Sequence, residues 1–265
     1  MMAAWREAVG RTVAPLAVGG LMLVGWQGIV SANDIPSYIL PGPLLVAKTL
    51  WLDGPSLLAS LWVTLRITLA ALAAAVLCGG ALALLFAQSR LLERCLFPYA
   101  VVLQVTPIVS IAPLIIIWVN NTFLSLLVCA WIVAFFPIVA NTTLGLNSAD
   151  RNLTALFRLY GASSWQILRL LRMPSALPYF LTGVRISGGL ALIGAVVAEF
   201  VAGTGGAETG LASRILEAGY RLEIPRMFAA LLLLSLTGIL IFGVLSWIAH
   251  RLLAHWHESA LPPEE

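Results

Sequence analysis

The sequence predicts an all-α integral membrane protein: one membrane domain over residues 1–265, with six crossing helices and a two-helix elbow outside the bilayer. Three observations predict it. Sixty per cent of the residues are hydrophobic and 10% are charged, against about 25% charged in soluble domains. Six apolar segments, 13–30, 61–87, 96–119, 123–146, 176–202 and 227–252, have the length that crosses a hydrocarbon core, for which about 20 residues suffice. The longest polar interruption between them, 150–178, carries its own helix start and stop signals.

The first segment follows Arg6 and Arg11 and ends in a small-residue stretch, Val30-Ser31-Ala32. It is long for the apolar core of a signal peptide and further spans follow, so it reads as a retained helix. Pro36, Pro41, Pro43 and Pro55 punctuate the next connection, in which 44–52 reads as a short surface helix. The second span is rich in Ala, with Gly79 and Gly80, which favours close packing against a neighbour. In the third, Pro98, Pro107 and Pro113 must loosen the backbone ladder. Freed carbonyls are tolerated only in protein or beside a water-lined cavity. With Gln104, Thr106 and Ser110 nearby, this span is the first candidate for lining a pathway; a kinked, fully buried helix is the other reading. Pro137 gives the fourth span a weaker form of the same signal.

Asp150 can cap a helix whose apolar residues Leu153, Leu156, Phe157 and Tyr160 share one face, and Gly161 supplies the left-handed residue that ends it. Ser163 and Gln166 form a capping-box pair for a second helix, which Pro174 is expected to close. Such an elbow cannot bury its apolar stripe alone. Arg66, Arg185 and Glu199 are the charges well inside spans. The two arginines are near enough to span ends to snorkel. The shorter Glu199, which precedes Gly203-Thr204-Gly205-Gly206, reads as a structural or gating group.

Basic residues in the connections divide unevenly. Arg6, Arg11, Arg90, Arg94, Arg151, Arg158, Arg169, Arg172 and Arg251 fall on one side, nine against Lys48, Arg214, Arg221 and Arg226 on the other. The positive-inside rule then places both termini and the elbow in the cytoplasm, and the connection 205–226 outside.

The elbow resembles the coupling loop of ABC-importer permeases, whose pattern is Glu-Ala-Ala, three residues, Gly, nine residues, Ile-x-Leu-Pro. Ala155, Leu156 and Phe157 occupy the first triplet, Gly161 the glycine, and Leu171, Arg172, Met173 and Pro174 the close. Glycine, proline and spacing match; Ala155 replaces the acid. ILPGPLLVAKTLW (Ile39 to Trp51), TPIVSIAPLIIIW (Thr106 to Trp118) and GVRISGGLALIGAVVAEFVAG (Gly183 to Gly203) resemble the nitrate, sulfonate and taurine permeases in the same order. The resemblance implies a permease of the bacterial inner membrane that pairs with a second copy, between a periplasmic binding protein and two ATPase subunits. ATP and Mg would belong to those subunits, and transport would proceed by alternating access. The solute would be a small oxyanion, sulfonate or related organic acid, or a nitrogen heterocycle such as a vitamin precursor. Ala155, Leu156, Phe157, Tyr160, Gly161, Leu171 and Pro174 would couple to the ATPase. Gln104, Thr106, Pro107, Ser110, Pro113, Arg185 and Glu199 are the candidates for a pathway or gate.

Other chemistry lacks support. The single lysine, Lys48, lies outside any phosphate-loop context, so no ATP hydrolysis by that device is expected. His250, His255 and His257 have poor spacing for metal and read as a solvated tail. Cys78, Cys95 and Cys129 read as packing residues. A net charge of +3 gives no reason to expect nucleic acid. The competing class is an ion-gradient-driven secondary transporter, which predicts paired intramembrane acids or broken helices in corresponding halves. A membrane scaffold or enzyme is the third class.

Overall fold

The computed structural model describes residues 2–203 and 209–254, with backbone alone over 2–12. All the regular secondary structure among the described residues is helical. The elements are α1 (Met2–Ala32), α2 (Pro43–Leu52), α3 (Gly54–Gln88), α4 (Arg90–Val105), α5 (Ile108–Val119), α6 (Thr122–Asn147) and α7 (Arg151–Leu159). They continue with α8 (Ser164–Ile167), a π-helical turn over Leu168–Arg172, α9 (Met173–Ala202), α10 (Leu211–Tyr220) and α11 (Ile224–Leu253). Five helices are long and apolar enough to cross a membrane, and six crossings result if the bent pair α4–α5 counts as one.

The core is the packing of α3, α6 and α9 on one another. Small residues let the backbones approach, as the alanine and glycine content of α3 predicts. Ala71, Ala75 and Ala83 are fully buried, and Gly79 lies against Ile138. Between α6 and α9 the approach is closer still. A Cβ at Gly183 would come within 2.9 Å of the Pro137 carbonyl oxygen, and one at Gly194 within 2.8 Å of Ala130 Cα. Ser187 donates to the Ala134 carbonyl at 2.6 Å, tying the same two helices with a buried hydrogen bond. α1 meets the bundle through Trp26, whose ring packs on Phe228 at 5.8 Å, and most of its apolar surface from Val13 onward is exposed.

Four expectations need correction. The segment 96–119 is not one kinked helix. It divides at Thr106–Pro107 into two helices at 99° to each other. Proline supplies no N–H and pushes the preceding residue out of the helical region, and Thr106 is extended at φ −71°, ψ 123°. Pro98 and Pro113 remain inside helices. Pro174 does not close the elbow's second helix. The π turn shifts the ladder, with the Met173 N–H donating to Leu168 O, and the chain runs on through Pro174 into α9. Only Cys129 packs in the core; Cys78 and Cys95 are exposed. Finally, the connection 205–226 contains α10, whose Leu211, Ala212, Ser213, Ile215 and Ala218 are buried. Thr204, Gly205 and Gly206, and the tail histidines His255 and His257, lie outside the described residues.

Candidate functional site

At one end of the bundle the elbow is built as its sequence dictates. The Asp150 carboxylate accepts from the Asn152 and Leu153 amides at 2.6 and 3.4 Å, capping α7. α7 ends in a glycine motif at Gly161, whose φ is +73°. There Ala162 N–H donates to Phe157 O and Gly161 N–H to Arg158 O, both at 3.0 Å, which satisfies the last carbonyls. Ser163 and Gln166 then exchange the two hydrogen bonds of a capping box, at 2.7 and 3.3 Å.

The two arms differ in freedom. The second is seated on the bundle: Leu168 packs with Ala83, Leu146 and Ala176, Leu171 is buried, and Arg172 Nη1 donates to Ala87 O at 3.1 Å. No residue of α7 is buried. Its residues divide between two opposite faces, following the helical repeat. Leu153, Leu156, Phe157 and Tyr160 form the apolar face; Leu153 and Leu156 are 45% and 46% exposed and Tyr160 84%. Arg151, Thr154, Ala155, Arg158 and Leu159 form the other and line an open cavity of about 1050 Å³ against α4 and the end of α6. Ala155 therefore lies opposite the apolar stripe.

The candidate pathway residues fall into three places rather than one. Gln104, Thr106, Pro107, Ser110 and Pro113 surround the α4–α5 break. All but the half-buried Thr106 are exposed, so this break lies on an open face of the chain and not inside a buried helix. Thr106 Oγ1 donates to Val102 O at 2.6 Å, a local partner at the break. Arg185 lies with Asn141, Thr182, Ser246 and His250 around a second cavity of about 630 Å³ between α6, α9 and α11. Its guanidinium sits over the Phe242 ring at 5.7 Å. Arg66 likewise sits over Phe123, at 5.6 Å.

Glu199 is 1% exposed, and what it meets is the start of α10. Its Oε2 accepts from Ala212 N at 2.9 Å, while the neighbouring Leu211 N donates to Thr64 Oγ1 at 2.8 Å. The first amides of α10 are thus capped by side chains from α9 and α3, in a position where the helix dipole also favours the carboxylate. Gly210 leaves the room: a Cβ there would fall on the Glu199 carboxylate. Ser213 Oγ donates to Gly203 O at 3.2 Å, a second tie at the same corner. At the rim, Glu217 bridges Arg214 and Arg221, both at 2.8 Å. The hydrogen bond from Arg214 holds the Glu217 carboxyl below the ordinary range. Sequence reading singled out Glu199 but missed Thr64, Gly210 and α10. The available signal was the spacing of Leu211, Ala212, Ile215 and Ala218, one face of a short helix.

Comparison with known proteins gives this arrangement a context. Residues 75–254 match the family described as binding-protein-dependent transport system inner membrane component. The riboflavin transport system permease protein RibX of Chloroflexus aurantiacus is 38% identical over 90% of this chain and 88% of its own length. The formylaminopyrimidine transport permease protein ThiX of Halalkalibacterium halodurans is 34% identical over 88% of this chain and 92% of its own. A crystal structure of an amino acid ABC transporter with histidines superposes with a TM-score of 0.63, covering 77% of this chain and 97% of the other at 18% identity. That likeness concerns the fold. The chain belongs to the family of binding-protein-dependent transport system inner membrane components: it is a membrane-spanning permease subunit of an ABC importer for small solutes.

Proposed function

We propose that this permease works as a pair with a second copy, receives its solute from a periplasmic binding protein, and is driven through α7 by two ATPase subunits in the cytoplasm. Nucleotide and magnesium belong to those subunits. The observation that carries the reading is the unpartnered apolar face of α7, held at a fixed angle by the Gly161 motif and the Ser163–Gln166 box.

The continuity of the second arm with α9 gives the coupling a mechanical form. Residues 164–202 make one rod, roughly 58 Å long at about 1.5 Å per residue. A displacement of α7 is passed across Gly161 to the base of this rod. The far end of the same rod carries Glu199 and, through it, α10. Movement at the nucleotide end and rearrangement of α10 at the opposite end are therefore linked through one helix. The α4–α5 break, with its exposed Gln104 and Ser110, borders the pathway between the two copies.

For the solute, the reading we favour is a small nitrogen heterocycle. Both relatives named above transport molecules of that class, and Gln104, Thr106 and Ser110 offer hydrogen bonds without a cation. A cognate binding protein purified with a sulfonate, and with no ultraviolet-absorbing heterocycle, would overturn it.

The coupling test uses Phe157→Asp. Burying a Leu or Phe side chain contributes roughly 1.5–3 kcal/mol, so two or three hold a short helix in a cleft. An unpaired carboxylate in that contact costs at least as much. Insertion and pairing are expected to survive, while retention of the ATPase and uptake fall at least about tenfold. Wild-type retention and uptake would show that this face does not carry the contact.

A further inference from the structure

The cavity between α6, α9 and α11 offers hydrogen-bond donors and a positive charge without a matching acid. Arg185 stands on its wall, and no carboxylate lines it. Arg185 makes no ion pair among the described residues. The Phe242 ring, 5.7 Å from the guanidinium, attracts the charge, but the planar N–H fork of an arginine is matched best by an oxyanion. Ser246 lines the same cavity, and its Oγ is buried without a hydrogen-bond partner. Such a hydroxyl is uncommon in a folded chain. Asn141 donates one amide N–H to Pro137 O at 2.8 Å and keeps the second.

Size and the remaining wall narrow the occupant. About 630 Å³ lies within the range of small-molecule sites, roughly 300–1,000 Å³, and exceeds what a bare inorganic ion fills. Leu144, Leu181 and Leu253 make part of the wall apolar. An oxyanion group carried on a small apolar body matches both parts. The three helices meet here near the elbow: Arg185 is in the first half of α9, Asn141 near the end of α6, and Leu253 is the last residue of α11.

We propose that this cavity is a binding site for a small soluble organic anion, a sulfonate, carboxylate or phosphate on an apolar body. Arg185 supplies the charge, and the Ser246 hydroxyl and the second Asn141 N–H donate to the same group. A ligand held by α6, α9 and α11 together resists displacement of α9 between its neighbours. Its consequence for transport rests on the reading that α9 passes on the movement of α7: the bound anion restrains the rod and slows the cycle.

The test titrates the full-length chain in neutral detergent with benzenesulfonate, the neutral benzenesulfonamide, or short-chain phosphatidylglycerol, at matched ionic strength. Binding is read by calorimetry and thermal unfolding. Benzenesulfonate is expected to bind at a concentration at least about tenfold below benzenesulfonamide, and Arg185→Gln to remove that difference. Ser246→Ala breaks no existing hydrogen bond, so its stability without ligand should equal wild type while binding weakens about fivefold. A merely structural Ser246 would show the opposite pattern. Equal binding of the two probes overturns the proposal, as does a preference that survives Arg185→Gln. Phosphatidylglycerol acting below benzenesulfonate overturns the soluble ligand in favour of a lipid. Should Arg185→Gln fail to fold, Ser246→Ala decides. In the transporter assembled with its ATPase and binding protein, benzenesulfonate is expected to cause a loss of ATP hydrolysis that Ser246→Ala relieves. Unchanged hydrolysis with binding intact overturns the restraint on α9. Wild-type ATPase retention in Phe157→Asp would instead remove the coupling reading and leave the site standing.

Discussion

A carboxylate stays inside a bundle of apolar helices only where donors meet it, and Glu199 shows how few are needed. One backbone amide donates to Oε2, the start of α10 lies against it, and Thr64 takes the neighbouring amide. The intramembrane acid thus has a structural partner, while Arg185, the other candidate charge of α9, sits over Phe242 beside a cavity. Gly210 is the sensitive residue of the corner, because any Cβ there displaces the carboxylate. A hydrogen bond to a charged group is worth about 1.5–3 kcal/mol, so Gly210→Ala is expected to destabilise the chain by about that amount. Thermal unfolding in detergent measures it. Glu199→Gln keeps an acceptor for Ala212 and is expected to cost less than half as much as Gly210→Ala. Equal stability of Gly210→Ala and wild type would mean that α10 is not held at this corner.

At the scale of elements, no residue of α7 is buried, so the Gly161 bend decides where it points. A β-branched residue at φ +73° is strained by roughly 1–2 kcal/mol and denied the turn. Gly161→Val is therefore expected to leave the bundle inserted but to lower ATPase retention and uptake together, measured side by side in reconstituted vesicles. Normal uptake would show that the bend is dispensable. These local signals were legible in the chain: Asp150, Gly161, Ser163 and Gln166 each do what their side chains or backbone freedom prescribe. Less legible was what depends on neighbours. Pro174 reads as a stop, yet a π turn lets the helix pass it, because the arm is seated on Ala83 and Leu146. Three prolines in 96–119 announce a weakened ladder, but not that Pro107 alone divides it. The facing of Ala155 into a basic cavity depends on Arg90 and Arg94, about sixty residues away, which no local pattern connects to it.

For the molecule as a whole, apolar length and proline and glycine placement made the helical membrane architecture readable, whereas the packing of α10 was not, since its contacts come from α3, α9 and α11, with Val46 of α2 beside them. Val46, Leu57, Leu211, Ile215 and Ala229 gather into one cluster there, and Arg226 reaches Asp53 at 3.6 Å. The bundle accordingly has two unlike ends. One carries α2, α10 and the acidic partners of Arg214, Arg221 and Arg226. The other carries α7 and the arginines Arg90, Arg94, Arg151 and Arg158, which make no ion pair among the described residues. Connections richer in Lys and Arg are retained on the cytoplasmic side during insertion. This asymmetry predicts that α7 faces the cytoplasm and α10 the opposite side. Single cysteines at Ser163 and Thr209, in a background with Cys78, Cys95 and Cys129 replaced, test it in intact cells. The exposed Cys78 and Cys95 should accept replacement freely; at the buried Cys129, Ala is the replacement that introduces no polar group. A membrane-impermeant maleimide is expected to label Thr209→Cys and to spare Ser163→Cys until the cells are opened. Labelling of Ser163→Cys from outside would reverse the orientation. It would place α7 beyond the reach of an intracellular ATPase, removing the coupling assignment together with the topology.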